Sequence, residues 1–294
     1  MPARLPPWFK QRLPDPAAMV PIERLLGDLH LHTICESAIC PNIGECFSRG
    51  TATFLILGDI CTRRCTFCAV KKGQPLPIDA AEPQHMLEAV QKLDLSYVVI
   101  TSVTRDDLTD GGAAQFAMAI KLIQEQRNNT RVEVLIPDFR GSLEALQIVI
   151  RACPQVINHN VETVPRFYHE VRPGADYARS LEIFTRVKEI NRKIVTKSGL
   201  MVGLGETKEE IIAVMQDLRS VNCELLTIGQ YLSPSSRHHP IFRYVTPDEF
   251  SEFAEIGRSL GFNAVASAPL VRSSFQAAEL YGRVSSRKRL TPRS

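Results

Sequence analysis

Six of the eight cysteines in this chain fall between residues 35 and 68, in two triplets of different spacing. The first is Cys35-x4-Cys40-x5-Cys46, and the second is Cys61-x3-Cys65-x2-Cys68, inside GDICTRRCTFCAV. A closed structural zinc site takes four protein ligands, and neither triplet supplies a fourth thiol. Three thiolates on a four-iron cluster leave one iron open to a ligand that is not cysteine. Two such sites side by side point to redox chemistry. A zinc loop completed by a histidine is the competing reading. His30 and His32 stand close to Cys35 as rival ligands or as neighbours of the ligands.

The compartment bears on that choice. The N-terminal stretch MPARLPPWFKQRLP has no apolar signal core, and no segment approaches the ~20 apolar residues of a membrane span. The expectation is a cytoplasmic protein without a membrane partner, in which thiols stay reduced and clustered cysteines bind metal. The net charge of +3, with 23% charged residues, does not demand nucleic acid. Basic residues near Arg63, Arg64, Lys71 and Lys72 would suit an acidic protein or a phosphate. Residues 285–294, with Arg287, Lys288, Arg289 and Arg293, read as a solvated, disordered tail.

Residues 1–30 are proline-rich and read as an extended arm that ends in a short helix near Ile22–Leu26. From Thr51 a strand–helix rhythm begins. The predicted strands are Thr53–Leu57, Tyr97–Thr101, Val132–Ile136, Val156–Asn160, Ile194–Val202 and Leu225–Tyr231. The predicted helices are roughly 82–93, 113–126, 142–152, 178–191, 207–221 and 247–260. Thr207 with Glu210 makes a capping box, Pro247-Asp248-Glu249 a first turn, and Gly261 a C-terminal stop. The fold class is α/β: six such units make a parallel sheet curled into a partial (β/α)6 barrel. A full eight-unit barrel does not fit, because only Ala264–Ser267 follows as a further strand. The alternative, a flat doubly wound sheet, lacks a GxGxxG after its first strand. The division expected is 1–50 for an arm with the first triplet, 51–262 for the barrel and 263–294 for a closing segment with a basic tail.

Polar residues gather at the C-terminal strand ends, where barrels carry chemistry: Asp59, Ser102, Asp138, Asn160, Glu162, Gln230 and Ser233. Gly203 and Gly205 would let backbone approach a ligand closely. Arg105-Asp106-Asp107 reads as an ion-pair network shaping the loop after the second strand. His159 reads as a satisfied core histidine, and His238-His239 as loop residues that contact substrate or nothing. Cys153 and Cys223 read as buried, inert thiols.

The CxxxCxxC triplet followed by this barrel pattern resembles the radical S-adenosylmethionine (SAM) superfamily. The first triplet, CESAICPNIGEC at 35–46, resembles the auxiliary-cluster motif of the lipoyl synthase family. So do TSVTRDDLTDGGA (101–113), IPDFRG (136–141), NHNVETV (158–164), KSGLMVGLGET (197–207), GQYLSPS (229–235) and APLVRSSF (268–275). The resemblance covers nearly the whole chain. It implies two 4Fe–4S clusters. One, on Cys61, Cys65 and Cys68, is completed by SAM. The other, on Cys35, Cys40 and Cys46, is completed by the serine that matches the family's Arg-Ser-Ser-Tyr motif, here Ser274. Phe275 replaces the family's tyrosine and drops a hydroxyl. On the residues alone, Ser273 and Ser274 also read as a helix N-cap ahead of Phe275–Leu280.

The implied reaction is insertion of two sulfur atoms, at carbons 6 and 8 of an octanoyl chain on a carrier lysine. Deoxyadenosyl radicals from SAM abstract the hydrogens, and the auxiliary cluster donates the sulfur. Oxygen is a weaker ligand than thiolate in such a cluster, which suits an iron that must be released. The partners implied are octanoylated lipoyl carriers (acyltransferase subunits of 2-oxoacid dehydrogenases and the glycine cleavage H protein), an electron donor such as ferredoxin or flavodoxin, and an iron–sulfur carrier that rebuilds the cluster. Phe67 is placed against the adenine by the resemblance. Asn160, Glu162, Thr101 or Ser102, and Lys197 are candidate SAM contacts, each with an alternative as a turn or loop residue. The chain order requires the C-terminus to fold back over the barrel mouth to deliver Ser274. The rivals are another radical SAM enzyme with an auxiliary cluster, such as a methylthiotransferase, and a non-catalytic zinc or iron–sulfur module.

Overall fold

A computed structural model describes residues 5–10, 16–37, 40, 42–43, 46 and 53–290. Ten strands are present among them: β1 His32–Thr33, β2 Thr53–Ile56, β3 Ile60–Cys61, β4 Lys71–Lys72, β5 Tyr97–Ser102, β6 Arg131–Leu135, β7 Val156–Asn158, β8 Val195–Val202, β9 Leu225–Gln230 and β10 Ala264–Ser267. Eight form one sheet in the order β1-β2-β5-β6-β7-β8-β9-β10. All the pairings from β2 to β10 are parallel, and only β1 runs antiparallel, on the edge of β2. Each strand of the parallel set lies beside the next in sequence, so the sheet winds in one direction, as the expected partial barrel requires. The seventh parallel strand is the predicted Ala264–Ser267.

The strands are legible because both faces are covered. Every residue of β9 and all but one of β8 are buried, the continuous apolar signature of parallel strands under helices. The outward side chains Phe54, Ile56, Val98, Ile100, Val132 and Val134 pack against the helices Glu82–Lys92, Ala113–Gln126 and Leu143–Arg151. Helix starts follow the capping signals. Thr207 and Thr246 each close a capping box with a glutamate three residues on. Gly261, at φ 91°, stops helix Pro247–Ser259 in the left-handed region that glycine enters freely.

Three elements differ from expectation. The N-terminal helix runs from Pro16 to Asp28, longer than Ile22–Leu26, because Ile22, Leu26 and Leu29 bury a stripe on the core. Of the expected arm, residues 1–4 and 11–15 lie outside the described residues. The basic tail is helical through Leu290, in helix Ala277–Leu290, and Arg293 lies outside the described residues. The C-terminal segment does not cover the mouth. It descends inside the barrel: Val271 crosses the inner face of β9, Ser273 meets Asn160 at the top of β7, and Leu280 and Val284 reach the first inward layer, Val156, Val195, Leu225 and Ala264. That helix is an apolar floor at the N-terminal ends of the strands.

Just above the floor lies a polar layer. Glu133, fully buried, accepts hydrogen bonds from Lys197 Nζ at 2.7 Å, Tyr97 Oη at 2.6 Å and Asn158 Nδ2 at 3.2 Å. Lys197 is equally buried. Burial and the Glu133 carboxylate hold the Tyr97 phenol far above its ordinary range. A lone charge here would be left in a medium that hydrates it poorly. Lys197→Met is therefore expected to destabilise the protein by about 3–5 kcal/mol. The double variant Lys197→Met with Glu133→Gln should recover most of that loss. Urea unfolding of the three proteins checks it, and an equal loss in single and double variants would refute the pairing argument.

Candidate functional site

The second triplet sits on the loop after β2. β3 carries Cys61 and pairs in parallel with β4, so a two-stranded clip closes the nine-residue loop, 62–70, that holds Cys65 and Cys68. The Sγ of Cys61 accepts the backbone N–H of Arg63 at 3.4 Å and of Thr104 at 3.3 Å. Burial pushes the thiols of Cys65 and Cys68 up, that of Cys68 to about 12, while Arg172 opposes the effect at Cys65. A bound cation removes such protons outright.

Side chains beneath fix this loop. Arg63 donates to Asp106 at 2.8 Å and pairs with Asp138, which also pairs with Arg179 at 3.2 Å. Burial pushes the Asp138 carboxyl up, but Arg63 overrides it and holds the group at about 2. The sequence Arg105-Asp106-Asp107 is thus split: Arg105 binds Asp107 at 2.8 Å, and Asp106 serves Arg63. From above, His239 N–H donates to the Thr66 carbonyl at 3.0 Å, and His238 Nε2 lies 3.2 Å from the Cys68 carbonyl. The loop that carries both histidines therefore straps the cysteine loop, a role its sequence does not announce.

The first triplet meets the C-terminal segment inside the barrel. Cys35, Cys40, Cys46, Thr53, Tyr97 and Ser274 line one cavity of about 160 Å³. Asn42 Nδ2 donates to the Leu270 carbonyl at 2.7 Å, fastening the triplet's loop to that segment. Burial pushes the thiols of Cys35 and Cys40 up, that of Cys35 to about 12. Ser274 is not a helix cap, because the helix begins at Ala277. Phe275 lines the same cavity. His30 and His32 face a separate groove with Glu36, Asp59 and Lys71, away from the cysteine cavity. Among the described residues no three His, Cys, Asp or Glu side chains close round one point as a single metal ion would need. A cubane spreads its ligands over separate irons, and three thiols with one hydroxyl around a cavity fit that wider group.

At the C-terminal strand ends the structure brings Asn160 and Glu162 together. Asn160 Nδ2 donates to Glu162 Oε1 at 3.0 Å and to Ser273 Oγ at 2.8 Å. Glu162 adopts φ 64°, a conformation non-glycine residues rarely hold, and such strain gathers at ligand sites. Burial pushes its carboxyl up, opposed by Arg172. The buried Oδ1 of Asn160 has no partner. Arg172, unmarked by any motif, is central: its Nη1 donates to the carbonyls of Asn160 at 2.9 Å and Val161 at 3.2 Å. Phe67 packs with Val171, Leu204 and Tyr231 at the mouth. Thr101 and Lys197 lie deeper. The Thr101 hydroxyl donates to the Leu135 carbonyl at 3.1 Å and Lys197 is held by Glu133, so both support the site from within the sheet and neither presents a free polar atom to it.

Further expectations are corrected by packing. At Gly203 a Cβ would overlap the Gln230 side chain and the Arg243 carbonyl, and at Gly205 it would meet the Phe167 ring at 3.3 Å. These glycines make room for protein rather than for a ligand. Cys153 is exposed, at a left-handed turn after helix Leu143–Arg151, whereas Cys223 is buried as expected. His159 is the satisfied core residue foreseen, with Nδ1 2.8 Å from the Ile136 carbonyl and Nε2 3.1 Å from Ser180 Oγ. Burial lowers its pKa to about 4. The unfolded chain therefore binds this proton more readily, and stability falls as pH drops below about 6.5. Between pH 7 and 5 the loss assigned to His159 is on the order of 2 kcal/mol. Denaturant titrations of the wild type and His159→Gln should show a shallower pH slope in the variant. Parallel slopes would remove His159 as the source.

Residues 55–218 match the model of the Radical SAM superfamily. The chain is 56% identical over 279 residues to the lipoyl synthase of Caldicellulosiruptor saccharolyticus, covering 95% of this chain and 98% of that one. It is 55% identical over 277 residues to the lipoyl synthase of Caldanaerobacter subterraneus subsp. tengcongensis, covering 94% and 97%. Among solved structures, the fold is similar to Streptococcus suis SuiB bound to its precursor peptide SuiA (TM-score 0.58, 11% identity, 81% of this chain and 54% of that one). It is also similar to HydG, a maturase of the [FeFe]-hydrogenase (TM-score 0.56, 16% identity, 69% and 48%). With a CxxxCxxC loop over a parallel partial barrel and a second cysteine triplet inside it, the chain belongs to the lipoyl synthase family of radical SAM sulfurtransferases.

Proposed function

We propose that the protein inserts two sulfur atoms, at carbons 6 and 8, into an octanoyl chain carried on the lysine of a lipoyl carrier domain. The observation that carries this reading is the single cavity shared by Cys35, Cys40, Cys46 and Ser274, beneath a mouth that holds Cys61, Cys65 and Cys68. In this reading residues 1–50 supply the auxiliary triplet, 51–262 the barrel, and 263–294 the serine and the floor. When bound, SAM and two 4Fe–4S clusters supply the hydrogen abstraction and the sulfur, chemistry that acid–base side chains cannot perform on an unactivated carbon.

The chain's own residues hold, orient and exclude water. Cys61, Cys65 and Cys68 hold one cluster, with Arg63, Thr104 and the strap at His238–His239 fixing the loop. Asn160 and Glu162 offer an amide and a carboxylate to SAM, whose adenine Phe67 flanks, and Arg172 sets the backbone beneath them. Cys35, Cys40 and Cys46 hold the second cluster with Ser274 as its fourth ligand. The apolar floor of Leu280 and Val284 keeps the interior dry, which suits radical intermediates. The exposed Arg64, Lys71 and Lys72 near the mouth suit an acidic carrier domain or an electron donor such as ferredoxin or flavodoxin. An iron–sulfur carrier would restore the consumed cluster.

Reconstitution with iron and sulfide is expected to load about eight irons per chain. The reduced protein with SAM and an octanoyl-lysyl peptide should then yield 5′-deoxyadenosine and a product with two added sulfurs. Ser274→Ala should lower sulfur insertion at least about tenfold, by loss of one ligand, while 5′-deoxyadenosine continues to form. Two zinc ions per chain without labile sulfide would overturn the reading. So would full sulfur insertion by Ser274→Ala, for the ligand role.

A further inference from the structure

The two cysteine sites are joined by a path of hydrogen bonds that touches no cysteine side chain. Thr66, next to Cys65, donates its N–H to the Val171 carbonyl at 3.0 Å. Arg172, next along, donates Nη1 to the Asn160 carbonyl at 2.9 Å. Asn160 donates Nδ2 to Ser273 Oγ at 2.8 Å. Ser273 adjoins Ser274, and the Phe275 N–H closes a turn across both by donating to the Arg272 carbonyl at 3.0 Å.

Asn160 is fixed at this junction. Its amide N–H groups serve Glu162 and Ser273 together. Its Oδ1 packs against Gly199, where a Cβ would come within 2.7 Å of it. Ser273 and Ser274 share this turn, so a restraint on Ser273 acts on the backbone that carries Ser274. The three thiols of the cavity come from a separate segment of chain.

We propose that Asn160 is a positioning residue for Ser274, acting through its hydrogen bond to Ser273, and so holds the fourth ligand of the auxiliary site in place. The inference rests on the two-cluster reading above. It separates the roles of two adjacent serines: Ser274 meets the iron, and Ser273 aims it. It also gives Asn160 a second task, beside any contact with SAM.

The test is a double-mutant cycle on reconstituted holoenzyme, read as the rate at which a ferrous chelator removes the first iron of the auxiliary cluster. Excess S-adenosylhomocysteine is present to cap the open iron of the other cluster. Ser273→Ala is expected to speed that step about tenfold, the effect of one buried hydrogen bond, and Ser273→Thr, which keeps the hydroxyl, should restore the wild-type rate. In a Ser274→Ala background Ser273→Ala should add nothing, because residues that act through one another are not additive. A merely structural serine would speed iron loss in both backgrounds. Equal rates in wild type and Ser273→Ala, or the same acceleration with and without Ser274, would overturn the proposal. Loading of only four irons would instead overturn the two-cluster reading itself.

Discussion

The interior of this barrel depends on a place where two backbones touch. At Gly229, on the inward face of β9, a Cβ would overlap the carbonyl of Val271. Glycine there lets residues 268–276 lie flat on the sheet. From that contact the segment descends, sets Ser273 against Asn160, brings Ser274 to the cysteine cavity and seats Leu280 and Val284 on the floor. Any side chain at 229 would lift the segment away from all of these at once. The inner face of the sheet is therefore built as much by an absent side chain as by those present.

Charge is the second organising constraint. Three buried cations each face a carboxyl group: Lys197 with Glu133, Arg63 with Asp138, and Arg172 toward Glu162. Buried pairs add little net stability compared with apolar packing, but they hold geometry strictly, because separating them exposes an unpaired charge. Their distribution follows the site. Arg63, within the cysteine loop, ties that loop to Asp106 and Asp138, and Arg172 ties down the end of β7 through the Asn160 carbonyl.

The barrel, and the residues that gather at its mouth and in its inner cavity, were readable from the sequence for physical reasons. Parallel strands buried on both faces leave unbroken apolar runs, which is why β8 and β9 were bounded almost to the residue. Thr207 with Glu210 announces a helix start by local hydrogen bonding alone. Cysteine spacing, with the family resemblance, singles out both triplets and Ser274, and the first triplet and Ser274 line one cavity. Two-residue strands such as β1, β3 and β4 have no periodicity to detect, since tertiary context alone makes them. Gly203 and Gly205 showed that close approach was needed but not to what. Arg172 belongs to no motif, and its importance comes from where helix Tyr168–Val171 ends. Residues 285–290 read as tail because they are basic, and the narrow apolar stripe that seats their helix, Leu280 and Val284, ends just before them.

The descending C-terminal segment also orders events in time. Cys35, Cys40 and Cys46 leave the ribosome well before Ser274 and the floor helix. A chain folds from its N-terminal side as it emerges. Until Ser274 and helix Ala277–Leu290 emerge, the sheet has an inner face with no floor, and the three thiols lack the hydroxyl that shares their cavity. Closure of the barrel and completion of the serine-bearing cavity are therefore one event, because a single segment of chain brings both.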